Sequence, residues 1–142
     1  MLRTEALANA ASELVGTPFR LQGRDPAHGL DCIGLVLASL AAVGARIDLP
    51  ADYRPRRRSF TVPLDALHAA GLVAADGGRR AGDILLLRTA PAQLHTAIAI
   101  GNGDIVHAHA GLGRVVRSPL PDSWPILAAW RLDPDGDTPW QR

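Results

Sequence analysis

Residues 94–109 read LHTAIAIGNGDIVHAH. Two apolar runs, 94–100 and 104–109, flank Gly101-Asn102-Gly103. Short apolar runs around a Gly-Asn-Gly turn read as a β-hairpin. If Ile100 pairs with Asp104 across a three-residue loop, His95 falls opposite His109, and His107 lies one diagonal away. All three histidines then share one face. A two-residue loop would put His95 on the face opposite the other two, so the histidines carry an expectation about register. The His95 face continues as Ala97 and Ala99, while Leu94, Ile98 and Ile100 make the other face bulky.

The same pattern extends outward. Asp83 to Arg88, Val115 to Arg117 and Ile126 to Leu132 are further short apolar runs, separated by Gly111-Leu112-Gly113 and Pro119 to Pro121. Together they predict an antiparallel meander of about five strands. Upstream the period changes. Leu7, Ala11, Leu14 and Val15 predict a helix over residues 4–15, stopped by Gly16 and Pro18. Residues 17–31 carry loop chemistry. Residues 32–43, CIGLVLASLAAV, are apolar all round, as in a buried helix, and Gly44 stops them. Thr61 and Pro63 open a short helix through Ala70. Helices first and strands after give an α+β fold, with N-terminal helices packed on a C-terminal antiparallel sheet. The length, 142 residues, suits one domain over 1–142, with 133–142 expected as a flexible tail.

Composition excludes several function classes. The net charge is +1, which provides no field for polyanions. All fifteen basic residues are Arg, and four of them crowd at Arg54, Arg56, Arg57 and Arg58 beside Tyr53. We read that cluster as a solvated loop rather than a nucleic-acid site, with contact to an anionic wall polymer or a tail protein as the middle option. No stretch of about 18 apolar residues is present to span a membrane. The first sixteen residues do not form a secretory signal. The expectation is a chain made in the cytoplasm that acts at the cell wall after delivery or release, associated with a virion or particle. Trp124, Trp130 and Trp140 read as core and tail. His28 and His68 read as surface residues.

Chemistry concentrates at Cys32, the single cysteine. A lone cysteine is either a small core hydrophobe or a reactive thiol. Here it opens the buried helix behind Asp31, where unpaired N–H groups and the helix dipole favour an anion. That position is expected to lower the thiol pKa and favour the thiolate nucleophile. A thiolate needs a base beside it, and the three strand histidines supply candidates. The Cys32 helix is expected to pack over His95, Ala97 and Ala99, bringing thiol and imidazole within reach of a hydrogen bond.

Five motifs follow in order: Gly16-Thr17-Pro18-Phe19-Arg20, Asp31-Cys32-Ile33-Gly34-Leu35-Val36, Ala81-Gly82-Asp83-Ile84-Leu85, His95-Thr96-Ala97-Ile98 and Ile105-Val106-His107-Ala108. Over about residues 4–132 the chain resembles the NlpC/P60 bacterial cell-wall cysteine peptidases, a papain-like α+β family. The resemblance is closest to the small versions encoded with phage tails and gene-transfer particles. It implies hydrolysis of peptide bonds in peptidoglycan stem peptides next to D-glutamate, with no metal or cofactor. It implies Cys32 as nucleophile, His95 as base and His107 as the group that orients the imidazole. The Cys32 N–H would help form an oxyanion hole. Strand register alone would favour His109 over His107 for the third place, and His109 would otherwise line the substrate cleft.

Two departures bear on substrate choice. Family members commonly have Tyr where this chain has Phe19, and Ser where it has Ile33. The residues flanking the Cys help to hold a free amino terminus in the family; Asp31 can do so and Ile33 cannot. Two rivals stand beside the peptidase reading. One is a cysteine amidase acting on another amide or thioester. The other is a degenerate, non-enzymatic domain that binds wall or takes part in tail assembly.

Overall fold

The computed structural model describes residues 2–47 and 64–133. In chain order the elements are helix α1 (Arg3–Glu13), strands β1 (Arg24–Asp25) and β2 (Gly29–Leu30), helices α2 (Cys32–Ala42) and α3 (Leu64–Ala69), and strands β3 (Leu72–Ala74), β4 (Ile84–Ala90), β5 (Gln93–Ala99), β6 (Asp104–His109), β7 (Arg114–Pro119) and β8 (Ile126–Leu132). Six strands form an antiparallel sheet in the order β3-β8-β4-β5-β6-β7. The α+β expectation stands, with one strand more than the five expected. The addition is β3, three residues after Gly71 that are too short to show alternation, paired with the end of β8. The loop read over 17–31 also contains the two-residue ladder β1–β2. The arginine cluster at 54–58, the opening of the third helix at 61–63 and residues 134–142 lie outside the described residues.

The β5–β6 turn has the expected register. The Ile100 N–H donates to the Asp104 carbonyl at 2.8 Å, and Ile98 and Ala99 pair with Val106 and Ile105. Asn102 (φ 66°) and Gly103 (φ 78°) take the left-handed conformation that closes the loop. Beyond Ile98↔Val106 no further β5–β6 pair forms among the described residues, whereas β4 follows β5 through Leu87↔His95 and β7 follows β6 through His109↔Arg114. The sheet is therefore forked at the His95 end of β5.

Among the described residues the helices cover one face of the sheet. Leu7 and Ala11 of α1, Leu35, Val36 and Leu40 of α2 and Leu67 of α3 pack with Ile84, Ile98, Val106 and Leu132. On the far face Leu85, Leu87, Ala97, Ala99 and Ile105 pack under Leu120 and Trp124. The expectation that α2 lies over Ala97 and Ala99 is corrected: it lies on the Ile98–Val106 face. Bulky side chains there bury more apolar area against a helix than two alanines could.

Two contacts fix this frame. Asp83 and Arg131 form a buried bidentate pair, with both N···O distances at 2.9 Å, and the guanidinium also donates to the Asp76 and Gly78 carbonyls. At the other end, the first turn of α2 rests on residue 23, because a Cβ on Gly34 would collide with the Gly23 carbonyl. Helix propensity alone predicts that Gly34→Ala stabilises by up to about 1 kcal/mol. The contact predicts the reverse, a loss of about 1–3 kcal/mol from overpacking. Urea denaturation of the two chains decides the sign.

Candidate active site

Asp31 is the N-cap of α2, its Oδ1 accepting the Gly34 N–H at 2.8 Å. The same carboxylate accepts the Gln22 N–H at 3.0 Å and pairs with Arg24 at 2.7 Å. Asp31 is buried, with both oxygens engaged by the protein itself. Ile33 is buried, and Phe19 is half-buried against the main core.

Cys32 follows Asp31 at the first position of α2, and the residue is only 7% exposed. Burial pushes the thiol pKa up, the Asp31 charge adds to that, and hydrogen bonding from Thr96 opposes it. The expectation of a lowered pKa is thus corrected. The Asp31 cap places a negative charge where the helix dipole is positive, and desolvation then prevails. Thr96 holds Cys32 from β5: its hydroxyl donates to the Cys32 carbonyl at 2.9 Å.

His95, His107 and His109 lie on one face of the fork. His95 Nε2 and His107 Nδ1 are 2.9 Å apart, and the two rings meet edge to face. His107, 2% exposed, places its Nε2 3.1 Å from the Ser118 hydroxyl on β7. His109 Nδ1 instead accepts the Leu112 N–H at 3.0 Å, which ties that ring into its own turn. Trp124 stands edge-on to both His95 and His107, at centroid distances of 5.8 and 5.6 Å. Burial lowers the His95 pKa to about 4, helped by the His107 and His109 charges. Burial lowers His107 to about 4 as well, helped by His109. Both rings are therefore neutral at pH 7.

The structure brings His95 and His107 together and sets Cys32 beside Thr96, the next residue of the same strand. Among the described residues the thiol makes no hydrogen bond to the His95 ring, so the direct bond expected from the sequence is not formed. The reason is the change of face: α2 reaches β5 from the Thr96 side. Among the described residues His95 Nδ1 carries no hydrogen bond, and β5 has no ladder partner from β6 at this level. A cleft of about 200 Å³ is lined by His95, His107, His109, Trp124, Thr89 and Gln93. Cys32, Asp31, Ile33 and Phe19 lie outside that lining. His28 and His68 are exposed, as expected.

Sequence reasoning missed Thr96, Ser118 and Trp124. Thr96 stood inside the His95-Thr96-Ala97-Ile98 motif without a role of its own. Ser118 lies one diagonal from His107 across β6–β7, a register that no turn signal fixed. Trp124 joins the far-side cluster, as a core reading expects, and also lines the cleft. Among the described residues no cluster of three or more His, Cys, Asp or Glu side chains is placed to hold a metal ion, and no helix is long and apolar enough to cross a membrane.

Comparison with known proteins agrees with this architecture. Residues 16–125 match the profile of the NlpC/P60 family. Protein P54 from Enterococcus faecium is 31% identical over 103 residues, which is 72% of this chain but 17% of that protein. The crystal structure of the NlpC/p60 domain of the peptidoglycan hydrolase SagA superposes with a TM-score of 0.61 at 26% identity, covering 89% of this chain and 96% of that one. NlpC1 from Trichomonas vaginalis superposes with a TM-score of 0.68 at 21% identity, covering 92% of this chain and 44% of the other. With the helix-borne cysteine and the paired strand histidines inside the matched span, the chain belongs to the NlpC/P60 family.

Proposed function

We propose that the chain is a cysteine endopeptidase that hydrolyses peptide bonds in peptidoglycan stem peptides, next to D-glutamate. It would act at the cell wall after delivery or release, as part of a phage tail or gene-transfer particle. The observation that carries this reading is the His95–His107 hydrogen bond, one strand residue from the contact that seats Cys32. The SagA domain, a peptidoglycan hydrolase by name, supports the substrate class.

The chemistry follows from the protonation states. The thiol and the imidazole are both neutral at rest, so deprotonation accompanies attack. His95 Nδ1 takes the Cys32 proton as Sγ bonds to the scissile carbonyl carbon. Negative charge moves to the carbonyl oxygen, where the Cys32 N–H is the candidate donor. The tetrahedral adduct collapses, the C–N bond breaks, and the amine leaves with the proton held by His95. Water, deprotonated by the same imidazole, then cleaves the thioester and frees the thiol. His107 holds the far nitrogen of His95 throughout, the place an orienting group must occupy.

Specificity follows from Asp31 and Ile33. Arg24 and two backbone N–H groups occupy the Asp31 carboxylate, and Ile33 is apolar and buried. Neither favours a free amino terminus, which points to stem peptides still joined to glycan. One observation favours a second reading, wall or tail binding without turnover: the thiol is buried and unbonded to the imidazole. A cysteine amidase would use the same groups on another amide or thioester.

Three outcomes are expected. Muropeptide digestion followed by mass spectrometry should show stem-peptide cleavage that Cys32→Ala abolishes with the fold intact; unchanged products from that variant sink the mechanism. His95→Ala should cost about 10²–10⁴-fold in turnover, and His107→Ala about 10–100-fold. His109→Ala should cost less than His107→Ala; the opposite order moves the orienting role to His109.

Glycan-joined stems should be cut faster than free peptides, and Ile33→Ser should narrow the gap. A free peptide cut much faster, with no effect of Ile33→Ser, refutes the specificity argument.

The histidines also predict a pH dependence. Unfolded, each would titrate near 6.5; folded, each does so at about 4. Between those values the unfolded state binds more protons, so stability is full above about pH 6.5 and is lost as pH falls towards 4. Thermal melts from pH 7.5 to 4.5 should show a falling Tm, with a shallower slope in His107→Gln. Equal slopes in the two chains contradict the assignment.

A further inference from the structure

We propose that Ser118 is a positioning residue that sets the tautomer of His95 by acting through His107, an inference that rests on His95 being the base for Cys32. Three groups stand in a row: His95 Nε2 lies 2.9 Å from His107 Nδ1, and His107 Nε2 lies 3.1 Å from Ser118 Oγ. Strand register explains the row. Ile105 pairs with Ser118 and His107 with Val116, so Ser118 sits diagonally across from His107 on the same face. His107 is 2% exposed and Ser118 is half-buried, and the Ser118 hydroxyl is the protein group that His107 Nε2 meets.

A neutral imidazole carries one N–H and one lone pair, so the row permits two proton orders. In the first, His95 Nε2–H donates to His107 Nδ1, and His107 Nε2–H donates to the Ser118 oxygen. His95 Nδ1 is then bare and can accept the thiol proton. In the second, the Ser118 hydroxyl donates to His107 Nε2, and His107 Nδ1–H donates to His95 Nε2. His95 then carries its proton on Nδ1 and cannot act there as a base. A serine hydroxyl can either donate or accept, so Ser118 makes the productive order available. Without it, the productive order leaves the His107 N–H with no protein acceptor, while the unproductive order leaves only a bare lone pair. Orphaned buried N–H groups are the costlier defect. Removing Ser118 therefore pushes the proton of His95 onto the nitrogen that must be free.

The test compares the parent chain with Ser118→Ala and Ser118→Thr by two readouts. Nitrogen-15 NMR of the imidazoles should show His107 protonated at Nε2 in the parent and shifted towards Nδ1 in Ser118→Ala. Kinetics on glycan-joined stem peptides should show kcat reduced about tenfold with KM within about twofold, and Ser118→Thr should restore both readouts. Ser118→Ala with parental tautomers and parental kcat overturns the proposal, even with a lowered Tm, because Ser118 would then only fill space. A parent chain that cuts no stem peptide overturns the catalytic reading instead, and the tautomer measurement then decides by itself whether Ser118 orders the protons.

Discussion

One turn governs the placement of the histidines. Gly101-Asn102-Gly103 closes β5 onto β6 with Ile100 donating to Asp104, and that pairing sets which side chains of the two strands share a face. A β-strand has a side-chain period of two, so one residue more or fewer in the loop would send His95 to the helix side and leave His107 with Trp124. Left-handed backbone at Asn102 and Gly103 makes the three-residue loop possible. From there the ladder runs only to Ile98↔Val106, and the strands part. His95 and His107 then meet through their rings, in the region where backbone bonds between β5 and β6 have ended.

Burial sets the chemical state of the site. A helix N-terminus favours an anion, with a typical effect of about 0.3–1 kcal/mol at an exposed position. Asp31 already supplies that anion as the N-cap, leaving little of the dipole for Cys32, and burial then raises the thiol pKa. The same burial lowers both histidines. Thiol and imidazole shift in opposite directions, and each shift favours the neutral form. A charged pair would gain Coulomb energy at close range but must first repay two desolvation terms. The resting state is therefore neutral for both groups.

The sequence made the fold class legible because each signal was local. The period changed from helical to alternating near residue 83, and the Gly-Asn-Gly turn fixed one register well enough to place three histidines on a face. Cys32 and Asp31 were legible as a helix start for the same reason. What stayed hidden was non-local. Which face of β5 receives α2 depends on the apolar area of Ile98 and Val106 against that of the alanines, a comparison across three elements. Ser118 depends on the β6–β7 register, set by a turn without the clear signature of Gly101-Asn102-Gly103. The occupation of Asp31 depends on Arg24 and the Gln22 N–H, both in a stretch that read only as loop.

These hidden features converge on Thr96. It shares a strand with His95 but points the other way, and its hydroxyl holds the Cys32 carbonyl. Alternation along β5 thus assigns the His95 ring and the Thr96 contact that seats Cys32 to opposite faces. A continuous sheet would keep them apart, because a paired strand on each side closes the route around the backbone. The fork ends the pairing of β5 with β6 at that level, where the His95 and His107 rings meet instead. A face change that at first separates thiol from imidazole therefore also gives each group a rigid support: α2 and its Asp31 cap for the cysteine, the His107–Ser118 row for the histidine.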